Sequence, residues 1–585
     1  MLKARLIPTP LIEDREREPI VIEQRSPPAR LRSLRVVGRF LSYWLSLLWL
    51  RLTGRYSPDV RAVRLREVFE DLGGLWMKVG QLLSLRSDLF DAAICRELSR
   101  LQYRAVGFPP ETARAIIEED LGKPLGEVFS TFEMAPIAAA SICQVHRAVL
   151  RYREVTVVVK VQRPDVDASF KRDMSLVRFV INRLIGFNVI PHMRWRDFLW
   201  ELEEIMREEV DYRYEASNLR RMKSSLRRHK VYVPKAYLDL CTRRVLVMEY
   251  VSGVLMSDYI DKRKHDPARL IAWQEENDVN PKKVAKRLFC STLRQLLEDN
   301  MFHADLHPGN ILLLRESRFA LIDFGTIGTV EQGFLRTYRL SLSALASRDF
   351  ARAADYTLHY GPEAPIHVRQ VREDLIRRFR SWEAKTHLRN LEYHEKSLGS
   401  AGTETGQVLM KYRVPVNWAL LKISRTMTTL DASLSYLMPT TSYTSLFKAY
   451  LRKAVRRQFR GGLAGQLKDG LRATIGMLDE YGALLSPAFR EQTLLLKSVS
   501  ARANRFVLVV YETLALLMTG VTILIAWLGL YQSRFYSFDP YLPEILIKHA
   551  VLVPPIPLGW WILMTLCAFL LTRMFRRLAR EAADA

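Results

Sequence analysis

Apolar positions recur at i, i+3, i+4 and i+7 from Val63 to Leu89, through Leu65, Val68, Phe69, Leu72, Leu75, Trp76, Val79 and Leu82. That period predicts one long helix with a buried stripe. Residues 111–130 predict a further helical stretch, broken at Gly122 and Pro124. The period then changes. Val155-Thr156-Val157-Val158-Val159-Lys160-Val161 is β-branched almost throughout and bounded by charge, which predicts a buried strand. Residues 165–230 are helical and strongly charged, Arg243 to Val251 predict a second strand followed by Gly253, and the chain beyond Gly325 is helix-rich to about Ser500. Interruptions are expected near 361–365, 399–406 and 438–445.

Three apolar runs fall outside this pattern. Phe40 to Leu50 is too short to cross a bilayer core of about 30 Å; Trp44, Trp49 and the flanking Arg39 and Arg51 suit either an interfacial helix or one docking on the domain. Phe506 to Tyr531 is long enough to span with tilt. Val551 to Leu571 is a second candidate, with Pro554, Pro555 and Pro557 leaving a short helix after them. Lys497, Arg502 and Arg505 precede the pair and Arg573, Arg576, Arg577 and Arg580 follow it, against Arg534 and Lys548 between. The positive-inside rule therefore places both ends, and the soluble part, in the cytoplasm. The competing expectation is a buried helical hairpin.

Composition narrows the partners. The 585 residues carry a formal net charge of +25, with 49% hydrophobic and 26% charged residues, as in a globular chain with polyanionic surroundings. No zinc-finger spacing or aromatic single-strand platform appears, so no nucleic acid is expected and an anionic membrane leaflet is. Arg452, Lys453, Arg456, Arg457 and Arg460 form a basic helical patch, either a solvated face or an anionic-lipid contact. Residues 1–35 form a charged, poorly ordered arm with no contiguous signal-peptide pattern. The five scattered cysteines exclude a disulfide framework and suit a reducing compartment.

Chemistry concentrates in His303-Ala304-Asp305-Leu306-His307-Pro308-Gly309-Asn310 and Asp323-Phe324-Gly325. An Asp, an Asn five residues on and an Asp before Phe-Gly suit Mg²⁺ and a triphosphate: Asp305 beside the nucleophile, Asn310 and Asp323 on metal. Lys160 inside an apolar strand needs an anion opposite, because desolvating an ammonium costs several kcal/mol; an ATP phosphate plus a helix carboxylate would supply it. Ala138-Ala139-Ala140-Ser141, about twenty residues upstream, stands where a glycine-rich phosphate loop would. Alanine lacks glycine's access to positive φ, which predicts a stiffer loop and poor phosphotransfer; a small-residue turn under a sheet is the alternative. Met248 and Glu249 end the second strand, where a hinge backbone would meet adenine. Lys78 and Gln81 share one helix face, and Glu215 lies four residues after Asp211 among the carboxylates near Glu209.

Together, Lys78-Val79-Gly80-Gln81, Ala138-Ala139-Ala140-Ser141 with Gln144-Val145-His146, Lys160, Glu209-x-Asp211 with Glu215-Ala216, His303-x-Asp305-x-His307-Pro308-Gly309-Asn310 and Asp323-Phe324-Gly325 resemble the UbiB/ADCK family of atypical protein-kinase-like ATPases. The resemblance covers about residues 65–330. It implies an α+β, two-lobed protein-kinase-like fold with an N-terminal helical extension and a C-terminal transmembrane helical hairpin. The expected parts are a basic arm (1–60), a K-x-G-Q extension (61–125), an N-lobe (126–255), a helical C-lobe (256–500) and a two-span hairpin (501–585). The resemblance further implies that Lys78 pairs with Glu209 and Asp211 over the site, Lys160 contacts ATP phosphates and Glu215, Asn310 and Asp323 hold Mg²⁺, and Asp305 is the catalytic-loop acid. It implies a membrane-anchored, Mg²⁺-dependent ATPase at the inner membrane supporting polyprenyl-quinone (ubiquinone) biosynthesis. Membrane lipids, isoprenoid-quinone precursors and quinone-biosynthesis enzymes are the expected partners. A nucleotide-binding pseudokinase scaffold and a small-molecule or lipid phosphotransferase are the alternatives. Two residues depart from the family pattern: Cys143, where Ala or Gly is usual, and Asp91, where Pro is usual.

Overall fold

The computed structural model describes residues 4–12, 32–84, 86, 90–101, 107–140, 142–164, 166–186, 195–360, 367–388, 391, 393–412, 414, 416–439, 443–460, 509–530 and 556–584. They fall into two compact units, with the two apolar C-terminal helices in the second.

Within the first unit the β-branched run becomes the centre of an antiparallel sheet. Its strands are β1 (Phe129–Phe132), β2 (Ala138–Ala139), β3 (Cys143–Leu150), β4 (Val155–Gln162) and β5 (Val245–Glu249), ordered β1-β3-β4-β5 with β2 on β3. Val157, Val159 and Val161 pack with Val245, Val247, Ile116 and Ile117 into one core. β1 and β3 were not expected as strands. β3 carries Gln144 and His146 on its buried face, and buried polar residues mask the alternation that marks a strand. They are satisfied there: Gln144 Oε1 accepts from Phe108 N at 3.0 Å, and its Nε2 lies 3.0 Å from His146 Nε2.

Beyond β5 the chain crosses to a helical lobe whose core gathers Leu288, Phe289, Leu313, Phe324, Leu430 and Leu434. Here β6 (Val254–Leu255), β8 (Ile311–Leu314) and β9 (Arg318–Leu321) form a small sheet, and β7 (Phe302–His303) pairs with β10 (Ile327–Gly328). The site loops run between these strands. This two-lobed arrangement is the expected fold class.

The long helix expected from Val63 to Leu89 is two helices, Pro58–Leu72 and Gly74–Ser84. They break at Gly73-Gly74, where both glycines take positive φ, 60° and 51°. The expected interruption at 399–406 is instead inside helix Leu398–Lys411. A side chain at Gly399 would collide with Asp431 on helix Trp418–Leu437, so the glycine serves close helix packing rather than a turn. The arm is partly docked as well. Leu6 and Leu11 are buried, and Thr9 bonds Asn277 and Trp273, tying residues 4–12 to the helical lobe.

The Phe40–Leu50 run lies in helix Arg32–Leu52, which docks on the domain by one face and leaves the other exposed. Val36, Tyr43, Leu47 and Leu50 dock on the extension, while Leu41, Trp44, Leu45, Leu48, Trp49 and Leu52 are exposed. In the second unit, Val509–Leu530 and Leu558–Ala579 have mean hydropathy 2.1 and 1.6 and mostly outward-facing apolar windows. The second helix is not short. It runs Leu558–Asp584, because Pro557 fixes only its start and the arginine-rich end continues the helix. The two lie side by side, with Thr522 Oγ1 3.5 Å from Thr572 Oγ1 and Gly529 against Trp561.

Candidate active site

The site is built from an aliphatic strand interrupted by one cation. β4 places Lys160 opposite Val145 and Leu246 in the ladder. Its ammonium is buried, with Glu215 Oε1 at 2.6 Å and Asp323 Oδ2 at 3.3 Å. Burial alone would pull the Lys160 pKa down; the Asp323 and Glu215 carboxylates outweigh it and hold the group well above its ordinary value. Desolvation in the cleft works to raise Asp323, but Lys160 and the Gly325 amide, 2.9 Å from Asp323 Oδ1, hold it down to about 2. Glu215 comes from helix Tyr212–Leu226. Asn218 on the same helix donates to Phe324 O at 3.2 Å, so this helix holds the Asp323-Phe324-Gly325 turn as well as Lys160.

The catalytic loop is fixed from inside. Asp305 N donates to His303 Nδ1 at 3.2 Å, and Asn310 Nδ2 donates to Asp305 O at 3.1 Å. Ile322 N bonds Asn310 O at 3.2 Å, which sets the Asn310 and Asp323 segments side by side. His303 is buried, and burial lowers its pKa, so it stays neutral while holding Asp305.

Over the tip of the sheet, Ala138 and Ala139 pair with Val145 and Gln144, and Ala140 N bonds Cys143 O at 2.8 Å. The Arg163 guanidinium donates to Ala140 O at 3.2 and 3.3 Å. Ser141 lies outside the described residues. Cys143 is buried beside Tyr212 and Lys160, and burial pushes its thiol up. At the hinge, Met248 joins the core and Glu249 turns its carboxylate away, to Tyr232 OH at 2.5 Å and Lys235 N at 3.1 Å. Glu249 N is bonded to Lys235 O at 2.8 Å, so any contact from Glu249 to a purine falls to its carbonyl.

The extension is tied to the rest of the unit through Lys78, which forms an ion pair with Glu209 at the end of helix Trp195–Glu209. Gly80 is needed beneath it, since a Cβ there would strike Leu101 and Phe69. Gln81 Nε2 donates to Leu101 O at 3.3 Å. The resemblance paired Asp211 with Lys78 too, and the sequence placed it on one helical face with Glu215. Asp211 instead caps helix Tyr212–Leu226 through Arg213 N at 3.0 Å and holds the Arg213 guanidinium at 2.6 Å. Asp91 is a cap as well, accepting from Ile94 N at 2.9 Å, which accounts for an Asp at that position. One site residue escaped the sequence reading: Arg425, whose Nη2 donates to Asp305 Oδ2 at 3.0 Å. It lies on a helix without a motif, 120 residues from its partner.

Residues 100–357 match the ABC1 atypical kinase-like domain. A "Probable protein kinase UbiB" from Pseudomonas putida (strain GB-1) is 30% identical over 467 residues, covering 75% of this chain and 81% of that protein. The chain belongs to the UbiB family. The UbiB protein of Tolumonas auensis is 33% identical over 323 residues, covering 54% of this chain. The matches span little more than half the length of some relatives, 56% for Tolumonas auensis and 60% for Providencia stuartii. Among solved structures, the Rv3197–erythromycin complex from Mycobacterium tuberculosis aligns over 65% of this chain and 92% of its own, at 23% identity and a TM-score of 0.44. Lys160, Glu215, Asp305, Asn310 and Asp323 all lie within the matched residues 100–357.

Proposed function

We propose that the chain is a membrane-anchored, Mg²⁺-dependent ATPase that supports polyprenyl-quinone biosynthesis, of which ubiquinone is the expected product, by ATP-coupled handling of lipid precursors. The observation that carries this reading is the Lys160–Glu215–Asp323 cluster beside Asn310 and Asp305. The donor set suits Mg²⁺: a carboxylate held ionised at Asp323 and an amide oxygen at Asn310 are the hard oxygen ligands this ion takes. When bound, the ion would neutralise charge on the transferring phosphate. Lys160 would contact the phosphates, and Glu215 fixes its direction. Asp305 accepts the proton of the attacking water. The Lys78–Glu209 pair fixes the extension, and the family resemblance implies that this extension occupies the space a protein substrate needs, which favours water over a polypeptide hydroxyl as acceptor.

Two features support the membrane reading: the two apolar helices, and the exposed apolar face of helix Arg32–Leu52 with Trp44 and Trp49. With the arginine-rich ends of the spans, they favour an inner-membrane protein with its catalytic part in the cytoplasm. Membrane lipids and isoprenoid-quinone precursors are the expected ligands, and quinone-biosynthesis enzymes the expected protein partners. The test is quinone profiling of a strain lacking this chain, complemented with wild type or Asp305→Asn. Accumulation of an early polyprenyl-phenol in the Asp305→Asn strain supports the reading; wild-type quinone content in that strain contradicts it.

A further inference from the structure

Helix Trp418–Leu437 carries Trp418, Lys422, Arg425 and Thr429 at spacings of four, three and four residues, which puts them in one stripe. The first two members meet the extension and helix Trp195–Glu209, and the last two meet the loop at Asp305. The Arg86 guanidinium lies 5.6 Å from the Trp418 ring, and Phe198 packs on that ring at 6.1 Å. Lys422 Nζ is 2.8 Å from the buried Glu201. Arg425 donates to Asp305 Oδ2 at 3.0 Å, and Thr429 Oγ1 accepts from Leu306 N at 3.1 Å. Ile423, Leu430 and Leu434 of the same helix anchor it in the lobe core. The helix is therefore a strut from the extension to the catalytic loop, and Arg425 is its point of contact with the catalytic-loop acid.

That contact has a chemical consequence. An acceptor hydroxyl must reach the Asp305 carboxylate to give up its proton. Arg425 is 16% exposed and fixed by its helix, and it covers Oδ2. With Oδ2 taken, a proton can be given up to Asp305 only beside the guanidinium, where a substituted alcohol is more crowded than water.

We propose that Arg425 is a specificity-determining residue that reserves Asp305 for water and so directs the site to hydrolysis instead of transfer. This inference rests on the ATPase reading. In hydrolysis the bond from the γ-phosphorus to the bridging oxygen of ADP breaks, and a bond from the water oxygen to phosphorus forms. The water proton passes to Asp305 and then to solvent, giving ADP and phosphate. With an alcohol in place of water the same steps give ADP and a phosphate monoester.

The experiment uses the full chain in phospholipid vesicles with γ-labelled MgATP and glycerol as the acceptor probe. It reads label in glycerol phosphate and in the chain against label in free phosphate. Arg425→Gln is expected to raise that ratio at least about tenfold, a difference of about 1.4 kcal/mol between competing barriers. Arg425→Lys, which keeps a cation on Asp305, should stay near the wild-type ratio. Lys422→Gln weakens the same strut without touching Asp305 and should leave the ratio unchanged. An unchanged ratio in Arg425→Gln overturns the proposal, as does an equal rise in Lys422→Gln. If the wild type binds ATP but releases no labelled phosphate and labels neither glycerol nor the chain, the ATPase reading fails. Transfer appearing only in Arg425→Gln would then still support the role of Arg425, and silence in both proteins would overturn it too.

Discussion

Lys160 is a buried cation in a strand of valines, and two carboxylates make that position tenable. Removing one member of such a group leaves uncompensated charge, so Lys160→Met should cost about 3 kcal/mol of stability. A lowered urea midpoint with an unchanged slope would register it; an unchanged midpoint would contradict it. The same group sets an acid limit. Asp323 is held down to about 2, against an ordinary value near 3.9 in the unfolded chain. A depressed carboxyl contributes its stability above the unfolded value and loses it as pH falls through the folded one. The melting-temperature gap between wild type and Asp323→Asn should therefore be constant above about pH 4 and close between about pH 4 and pH 2. A gap that closes near neutral pH would contradict the assignment. Asp305, Asn310, Asp323 and Lys160 were legible in the sequence because each sits in a short motif whose spacing is tied to its chemistry. Arg425 was not. Its role comes from the packing of a distant helix, and local sequence carries no trace of that. Asp211 was misplaced for a related reason: an Asp two residues before Arg213 can cap a helix as readily as it can sit within one.

The extension and the strut helix act as elements. Helix Gly74–Ser84 bears Lys78 toward Glu209, and helix Trp418–Leu437 bears Arg425 toward Asp305. Glu209→Ala leaves Lys78 without its largely buried partner and should destabilise the extension by about 3 kcal/mol. Its signature is a rise in amide exchange across residues 58–84 with little change in the strands. Uniform exchange across both regions would show that the extension does not open separately. Helix existence was readable from apolar period, whereas helix ends were not. The period continues through Gly73-Gly74, and only the positive φ of both residues reveals the break. Glycines at 399, 402 and 406 suggested a loop, yet all three lie inside helix Leu398–Lys411, and at Gly399 a Cβ would meet Asp431 of the neighbouring helix. A glycine in sequence does not say whether it serves a turn or a close approach.

For the whole molecule, two helices long and apolar enough to cross a membrane, a net charge of +25 and an exposed apolar face on helix Arg32–Leu52 favour work at a lipid surface. A spin label at Leu48 in the vesicle-bound chain should collide with oxygen more than with a nickel chelate, because that face would lie in the acyl region. The opposite preference would return the face to water. The kinase-like fold was legible from its motifs and strands; the docking of residues 4–12 on the helical lobe was not, since a charged arm gives no period to read. The central claim is ATP turnover at the Lys160–Asp323 cleft. It is tested most directly by phosphate release from MgATP by the full chain in vesicles, wild type against Asp323→Asn. The account predicts release by the wild type and a loss of at least about a hundredfold in Asp323→Asn, as expected for removal of a metal-holding carboxylate. Equal release by the two proteins, or none by the wild type, would contradict it.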